Sequence, residues 1–355
     1  MAGLYIGSTG GFAGKNMIAL SLGLKLQKDG HRIGYMKPVG AVPSKTGERS
    51  GDDDAFFLQG VLGLEGDPEL VTPVLVTQDF KVKAFAGDCP GLIDRIKQAY
   101  ATLSKDREVM IVGGSGSFLF SGKYCGVDGA NVSAALDLKV LLIDRFHTDL
   151  NYDYLLRARE VLGDRLIGAV LNDIPEAAAN NVQSIMVPLL ERHGIDVLGT
   201  IPRDPLMSAI KVGDLAERLG GKIISVHNKS ERVVENFLIG TMQVENFMTH
   251  FRRQKNSAII VGGDRSDVQL VALEGKCPCL VLTGNLYPND IILTRSEVLE
   301  IPIIVVRDDT YTVAKKMETI LSSIKLRDIV KIKHGAQLVN SSVDMNAIKE
   351  TLGLG

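Results

Sequence analysis

Residues 4–20 read L-Y-I-G-S-T-G-G-F-A-G-K-N-M-I-A-L, and this stretch decides the fold. It joins a short apolar strand to a glycine-rich turn and the start of an amphipathic helix. Such a turn exposes consecutive backbone N–H groups at a helix N-terminus, and Lys15 can reach the terminal phosphates of a ligand. The stretch therefore predicts a phosphate-binding loop that contains Thr9, Gly10, Gly11, Gly14, Lys15 and Asn16.

The loop departs from the pattern G-x-x-x-x-G-K-[ST] at two positions. Thr9 stands where the first glycine would be, and Asn16 replaces the hydroxyl residue that normally ligates Mg²⁺. A glycine-rich turn that only packs a strand against a helix is the alternative, and the loop alone does not exclude it.

Working outward, short apolar and β-branched runs alternate with helical periodicity. The runs lie at residues 4–6, 32–35, 109–112, 140–143, 166–171 and 196–199. Nearly continuous apolar strands separated by helices predict an α/β fold, a parallel sheet covered by helices on both faces. Ligands bind beyond the carboxyl ends of such strands. Those ends read Gly7-Ser8-Thr9, Lys37-Pro38-Val39, Gly113-Gly114-Ser115, Asp144-Arg145 and Asn172-Asp173.

Composition excludes several other classes of protein. The 355 residues are 45% apolar and 23% charged, as in globular proteins, with 40 Lys and Arg against 42 Asp and Glu. With a net charge so close to zero, the chain has no overall excess of positive charge that would attract nucleic acid or an anionic membrane surface. No run approaches the ~20 apolar residues of a membrane span, and Met1 leads directly into a strand. We therefore expect a cytoplasmic protein with no nucleic-acid or membrane partner.

Two further motifs add a family resemblance. Gly34-Tyr35-Met36-Lys37-Pro38-Val39-Gly40 is followed by Gly51-Asp52-Asp53-Asp54-Ala55. With these motifs, residues 1–215 resemble the dethiobiotin synthetase-like branch of P-loop proteins. The resemblance implies ATP or ADP as ligand, Lys15 and Lys37 as catalytic residues that neutralise phosphate or substrate charge, and Asp54 as an Mg²⁺ ligand. It also implies that Asn172 reads adenine, with Pro202 in the loop beside the base.

The departures from that family concern the metal. Members with ligase activity carry an acidic residue in a segment E-G-A-G-G, and here the segment reads Gly113-Gly114-Ser115-Gly116-Ser117. Asn16 and Gly113 together remove two of three expected protein ligands and leave Asp54. Mg²⁺ binding stays open, because this ion keeps waters and phosphate oxygens as ligands. Alternatively, the acidic cluster is a solvated turn that caps the helix near Ala55, and Asp144 either replaces the missing carboxylate or caps a helix.

A second α/β series follows, with strands at 257–261, 280–282 and 303–306 and helices at 267–274, 289–299 and 312–324. Its strand-end motifs resemble a DRTGG domain: Asp264-Arg265-Ser266-Asp267, Thr283-Gly284-Asn285 and Asp309-Thr310. We place this smaller domain at 233–325, a linker at 216–232, and a tail at 326–355 with a helix capped by Ser342 or Asp344. Asp264 and Arg265 are either an effector or dimer site, or residues that orient loops.

The order of the two domains resembles the N-terminal, non-catalytic half of long phosphate acetyltransferases. This predicts an adenine-nucleotide-binding regulatory protein, a homodimer through the DRTGG-like domain, with a metabolic enzyme as a further partner. We expect no acetyltransferase catalytic domain, which would need about three hundred further residues. One alternative is an enzyme, an ATP-dependent carboxylate-activating ligase of the dethiobiotin synthetase or cobyrinic acid amide synthase type, or a weak ATPase. Another is a fold retained for assembly alone.

Overall fold

The computed structural model describes residues 1–46, 49–148, 152–322 and 329–354. Contacts divide the chain into two compact units. The first unit combines Met1–Arg203 with Leu326–Gly355, and the second is Asp204–Lys325.

The first unit contains ten strands and nine α-helices up to Arg203 in the described ranges. The strands are β1 (Ala2–Ser8), β2 (Ile33–Met36), β3 (Val39–Gly40), β4 (Pro43–Thr46), β5 (Arg49–Asp52), β6 (Val74–Leu75), β7 (Val109–Gly113), β8 (Lys139–Arg145), β9 (Leu166–Ile174) and β10 (Val197–Pro202). The helices are α1 (Lys15–Lys28), α2 (Asp53–Leu62), α3 (Pro68–Val71), α4 (Gln78–Phe85), α5 (Leu92–Leu103), α6 (Gly129–Ala135), α7 (Asp153–Leu162), α8 (Glu176–Asn181) and α9 (Val187–Arg192).

Six of these strands form one sheet in the order β10-β9-β8-β1-β7-β2, and every neighbouring pair is parallel. The central strands are buried along almost their whole length, which is why they read as continuous apolar runs. Alternate residues, among them Tyr5, Val112 and Leu142, pack with the apolar sides of α5 and α7. The predicted parallel α/β sheet is confirmed.

Asparagine and aspartate side chains fix several helix starts, whereas α1 has none. Asp52 accepts hydrogen bonds from the backbone of Asp54 and Ala55 at the start of α2, and Asp128 caps α6 in the same way. Helix α1 begins after Gly14 with no side-chain cap and no acidic residue in its first turn. Its N-terminal amides are therefore left for another acceptor.

The second unit has its own sheet and core. The strands are β11 (Ile210–Lys211), β12 (Lys222–Ser225), β13 (Val233–Val234), β14 (Asn236–Ile239), β15 (Ser257–Gly262), β16 (Leu280–Thr283) and β17 (Ile303–Val305). The helices are α10 (Val212–Leu219), α11 (Val244–Phe251), α12 (Ser266–Glu274), α13 (Asp290–Val298) and α14 (Thr310–Ser322). A five-stranded sheet has the order β12-β17-β16-β15-β14. One face packs with α10 and α14, the other with α11, α12 and α13.

The predicted linker at 216–232 lies within the second compact unit, which begins at Asp204. The sequence suggested a linker because a helix ends at Gly220-Gly221. Gly220 adopts a left-handed conformation that stops α10, but β12 follows at once and pairs with β17. Helix α10 itself buries Val212, Leu215 and Leu219 in the core of the second unit.

The expected C-terminal tail is part of the first unit rather than an appendage. It contains α15 (Ile329–Ser342), which was not predicted, and α16 (Met345–Thr351), which was. Helix α15 packs on α1 and β10, and Lys349 pairs with Asp29 at 2.8 Å. Of the two predicted caps for α16, Asp344 is the one that accepts from its backbone amides. The end of the helix predicted at 312–324 lies outside the described residues.

Among the described residues, no helix combines the length and apolarity needed to cross a membrane.

Candidate functional site

The phosphate loop joins β1 to α1 at the centre of the sheet. Gly14 lies in the left-handed region at φ 104°, and a Cβ there would come within 2.4 Å of Asn172 Nδ2. The Asn172 amide in turn donates to the backbone oxygen of Ala13 at 2.8 Å. Only glycine satisfies both constraints at position 14. The loop thus delivers the chain to an uncapped helix N-terminus, where aligned N–H groups favour an anion.

Lys15 folds back over this loop. Its Nζ donates to Ser8 Oγ at 2.6 Å, to the Gly116 carbonyl at 3.2 Å and to the Gly10 carbonyl at 3.3 Å. Burial, which is the larger cause, and the charge of Lys37 together lower the pKa of Lys15 to about 8, against the opposing charge of Asp54. The ammonium therefore lies among one hydroxyl and two backbone oxygens, and no carboxylate of the described residues is within ion-pair distance of it.

Lys37 follows β2 and lies between two carboxylates. Its Nζ contacts Asp52 Oδ1 at 2.7 Å and Asp54 Oδ2 at 3.1 Å. The side chains of Lys37 and Asp52 are 4% and 0% exposed, whereas that of Asp54 is 16% exposed. Burial of this kind holds a charged pair in a fixed geometry, because separating the partners would leave a charge without solvent.

The acidic cluster 52–54 therefore divides into two roles. Asp52 is structural: besides capping α2, its Oδ2 accepts from the backbone of Val42 at 2.9 Å. The predicted helix cap is confirmed for the first of the three aspartates. The prediction of a solvated turn is wrong for that residue, because its side chain is fully buried. Asp54, in the first turn of α2, is the more accessible carboxylate; it contacts Lys37, and its charge also acts on Lys15. The structure thus brings together three of the predicted charged residues.

Gly113 ends β7, and it is the position at which the resemblance to dethiobiotin synthetase-like ligases leads one to expect an acidic residue. A Cβ at this position would come within 2.6 Å of Tyr35 Oη. Tyr35 is 3% exposed, and its hydroxyl has no hydrogen-bond partner among the described residues. Burial and the charges of Asp52 and Asp54 raise the pKa of Tyr35 well above its usual value, so the group stays a neutral hydroxyl. A tyrosine ring thus fills the space of the missing carboxylate.

These residues do not fit a complete Mg²⁺ shell. Asp54 is paired with Lys37, Asp52 caps a helix, and Gly113 offers no ligand. No group of three His, Cys, Asp or Glu residues that could hold a metal ion occurs in the described ranges. The donors present do fit an anion, because the uncapped start of α1 lies beside Lys15, whose ammonium contacts a hydroxyl and two backbone carbonyls.

Thr9, Gly10, Gly11 and Asn16 occupy the rest of the loop. Thr9 Oγ1 donates to Asp144 Oδ1 at 2.5 Å, which makes Asp144 a loop anchor rather than a helix cap. A Cβ added at Gly10 or Gly11 would meet no atom within 4 Å, so these two positions open toward solvent. Asn16 is the second residue of α1 and half-buried.

Asn172 lies two residues before the end of β9, and Pro202 ends β10. An ionic cluster beside them was not predicted. Asp173 accepts from Arg145 Nε at 2.9 Å and from Arg203 Nε at 2.9 Å. The predicted strand ends already contained Arg145 and Asp173, but the sequence did not show that Arg203 returns to the same carboxylate. That Asn172 reads adenine stays a prediction, and its Nδ2 is already used to hold the loop.

In the second unit, Arg265 lies in the turn between β15 and α12, and its ion-pair partner is Asp267. It binds Asp267 in a two-point pair at 2.9 Å and 2.9 Å, and it donates to the carbonyl of Met242 at 3.2 Å. Arg265 therefore orients the turn after β14. An effector or dimer role for Asp264 and Arg265 stays a prediction.

The sequence profile of the AAA domain matches residues 2–211, and that of the DRTGG domain matches residues 214–320. The chain belongs to the AAA-domain family. The DRTGG match begins within α10, close to the boundary between the two units, and it supports the predicted second domain.

Known relatives cover both halves of the chain. A phosphate acetyltransferase of Synechocystis sp. is 21% identical over 96% of this chain and 50% of its own length. An ATP-dependent dethiobiotin synthetase of Methanococcus vannielii is 25% identical over 56% of this chain and 92% of its own length. The chain thus spans about half the length of its phosphate acetyltransferase relatives. The crystallised CBS and DRTGG regulatory region of Clostridium perfringens pyrophosphatase, bound to diadenosine tetraphosphate, covers 35% of this chain and 50% of its own with a TM-score of 0.30 and 18% identity.

Proposed function

We propose that this chain binds ATP or ADP at residues 9–16 and acts as a regulatory protein without turning the nucleotide over. The observation that carries the proposal is the uncapped start of α1, reached through Gly14, with Lys15 held over the loop by backbone oxygens. A polyphosphate would accept hydrogen bonds from these amides and from Lys15. The adenine would lie toward Asn172 and Pro202, at the ends of β9 and β10.

The proposal of regulation rather than catalysis rests on Gly113 and Tyr35. Phosphoryl transfer depends on a metal ion placed by protein ligands. Here a tyrosine ring occupies the space that a carboxylate would need, and Asp54 is the single predicted Mg²⁺ ligand left. The relation to phosphate acetyltransferases supports a metabolic enzyme as the partner that such a protein would regulate.

An ATP-dependent carboxylate-activating ligase is the second candidate. It is favoured by one observation, the convergence of Lys15, Lys37 and Asp54 at one sheet edge. Release of phosphate from ATP in the presence of small carboxylic acids and Mg²⁺ would establish this candidate and reject regulation without turnover.

A thermal-shift series with ATP, ADP and GTP, each with and without Mg²⁺, tests the proposed function. A nucleotide at 100 times its dissociation constant should stabilise the folded chain by about 2.7 kcal/mol. We expect a shift with ATP and ADP in both buffers. If no nucleotide shifts the transition, the first unit serves assembly alone.

Nucleotide affinity should fall as the pH rises above 8. With a pKa of about 8, Lys15 is mostly protonated at pH 7 and mostly neutral at pH 9. A bound phosphate favours the charged form, so the dissociation constant should rise by up to about tenfold per pH unit above 8. Calorimetric titrations from pH 7 to pH 9.5 check this. In the Lys15→Arg variant the guanidinium stays charged over this pH range. The nucleotide affinity of that variant should therefore not fall between pH 8 and pH 9.5.

We also propose that the chain forms a homodimer through the second unit. Sedimentation at micromolar concentration should give twice the mass of the chain, and cross-links between two copies should map to residues 204–325. A monomer, or cross-links confined to the first unit, would reject this.

A further inference from the structure

A cavity of ≈ 620 Å³ lies in the second unit and is lined by residues of that unit alone. It opens at the amino ends of β15 and β16, between the carboxyl ends of α11 and α12. Its floor is apolar and contains Met248, Phe251, Leu270, Val271, Cys277 and Pro278. Cavities of this size and lining commonly hold small molecules in proteins.

The rim of the cavity is positively charged. Arg252, Lys255 and Lys276 line it, and none of the three has a carboxylate within ion-pair distance in the part of the chain described here. The one acidic residue among the described lining residues, Glu274, is already bound by Arg295 through two contacts of 2.5 Å and 2.8 Å. The cavity thus combines an apolar interior with three cations that no described carboxylate pairs.

From this combination we propose that the cavity binds a small amphipathic anion, an apolar chain that carries a carboxylate or phosphate head. The apolar chain of the ligand would displace water from Phe251, Leu270 and Val271. Its charged head would accept charge-assisted hydrogen bonds from Lys255 and Lys276. Nothing in this proposal depends on nucleotide binding in the first unit.

Two of these cations, Arg252 and Lys276, also lie just after helix ends, where positive charge offsets the helix dipole. That role would explain Arg252, which directly follows α11, without any ligand. It would not require an apolar cavity beneath the charges. Ligands that carry only the charge, or only the apolar chain, distinguish the two explanations.

Calorimetric titration of the full chain with decanoate and with decyl phosphate tests the proposal. Decan-1-ol has the same ten-carbon alkyl chain without a charge, whereas acetate and inorganic phosphate carry the charge without a long alkyl chain. We expect one molecule of decanoate or decyl phosphate to bind with a dissociation constant below about 1 mM, and the matched controls to bind at least tenfold more weakly. Comparison of the two ligands identifies the preferred head.

Variants locate the binding. Lys255→Gln with Lys276→Gln should weaken binding at least about tenfold, since charge-assisted hydrogen bonds are lost. Leu270→Asn, at a side chain that is 39% exposed, should weaken it without unfolding the chain. Arg253→Gln is the matched control, because Arg253 belongs to the same basic run but does not line the cavity. Lys15→Ala should leave decanoate binding unchanged.

Four results would overturn the proposal. These are no binding of either amphipathic anion, equal binding of decan-1-ol, a loss of stability in the double lysine variant without any ligand effect, and an apparent affinity that falls as the protein concentration rises. The third result would mean that these cations only offset the helix dipoles and bind no ligand. The fourth would mean that a second copy of the chain covers the cavity.

Discussion

Lys15→Ala is expected to abolish nucleotide binding while the first unit stays folded. The ammonium supplies two or more charge-assisted hydrogen bonds to a polyphosphate, each worth about 1.5–3 kcal/mol, so affinity should drop at least about 100-fold. Its present contacts are to Ser8 and to two loop carbonyls rather than to the core. Stability should therefore change by less than about 1 kcal/mol.

Calorimetry with ATP and a thermal melt of the same preparation measure both effects. Lys25→Ala is the matched control, because Lys25 lies on the same helix and pairs with Asp29 at the surface. Its affinity for ATP should equal that of the parent. Unchanged ATP affinity in Lys15→Ala would remove the phosphate-loop assignment.

Tyr35 and Gly113 should show opposite and coupled effects on stability. Tyr35→Phe deletes a buried hydroxyl without a hydrogen-bond partner among the described residues, and it should stabilise the fold by about 1 kcal/mol. Gly113→Ala forces a Cβ against that hydroxyl and should destabilise by about 1–3 kcal/mol. In the double variant the hydroxyl is gone, so the cost of the Gly113→Ala substitution should shrink by at least about 0.5 kcal/mol.

Denaturant unfolding of the four proteins in this cycle gives the coupling. Additive effects would mean that Tyr35 does not fill the space beside Gly113.

The contact between Tyr35 and Gly113 also affects any attempt to restore a metal ligand. The sequence alone suggests that Gly113→Glu with Asn16→Thr would rebuild the Mg²⁺ site, but a glutamate cannot enter while the ring of Tyr35 lies 3.3 Å from the added Cβ. We expect that double variant to unfold more readily than the parent by more than about 3 kcal/mol.

The sequence was sufficient for most of the first unit, because buried parallel strands must be apolar throughout and therefore stand out. It also located the second sheet from β15, β16 and β17. It missed β14, a short strand with a polar start at Asn236, and the pairing of β12 with β17. Local sequence showed that α10 ends at Gly220 but not that the next strand returns to the same sheet.

The candidate site was predictable as far as local motifs reach. The loop, Lys37 and Asp54 follow from strand ends, and parallel strands bring such ends together. The division of labour between Asp52 and Asp54 depends on which carboxylate is buried under Lys37. The reason for Gly113 lies in Tyr35, on a neighbouring strand, and the partner of Asp173 lies in Arg203. Each of these contacts joins segments that are far apart in the sequence, so no local sequence pattern predicts it.

Calorimetric titration of the full chain with ATP, once with Mg²⁺ and once with EDTA, tests the central claim most directly. A nucleotide held by backbone amides and lysines rather than through a protein-bound metal should bind in both buffers with dissociation constants within about tenfold of each other. Binding that disappears in EDTA, or no binding in either buffer, would contradict this account.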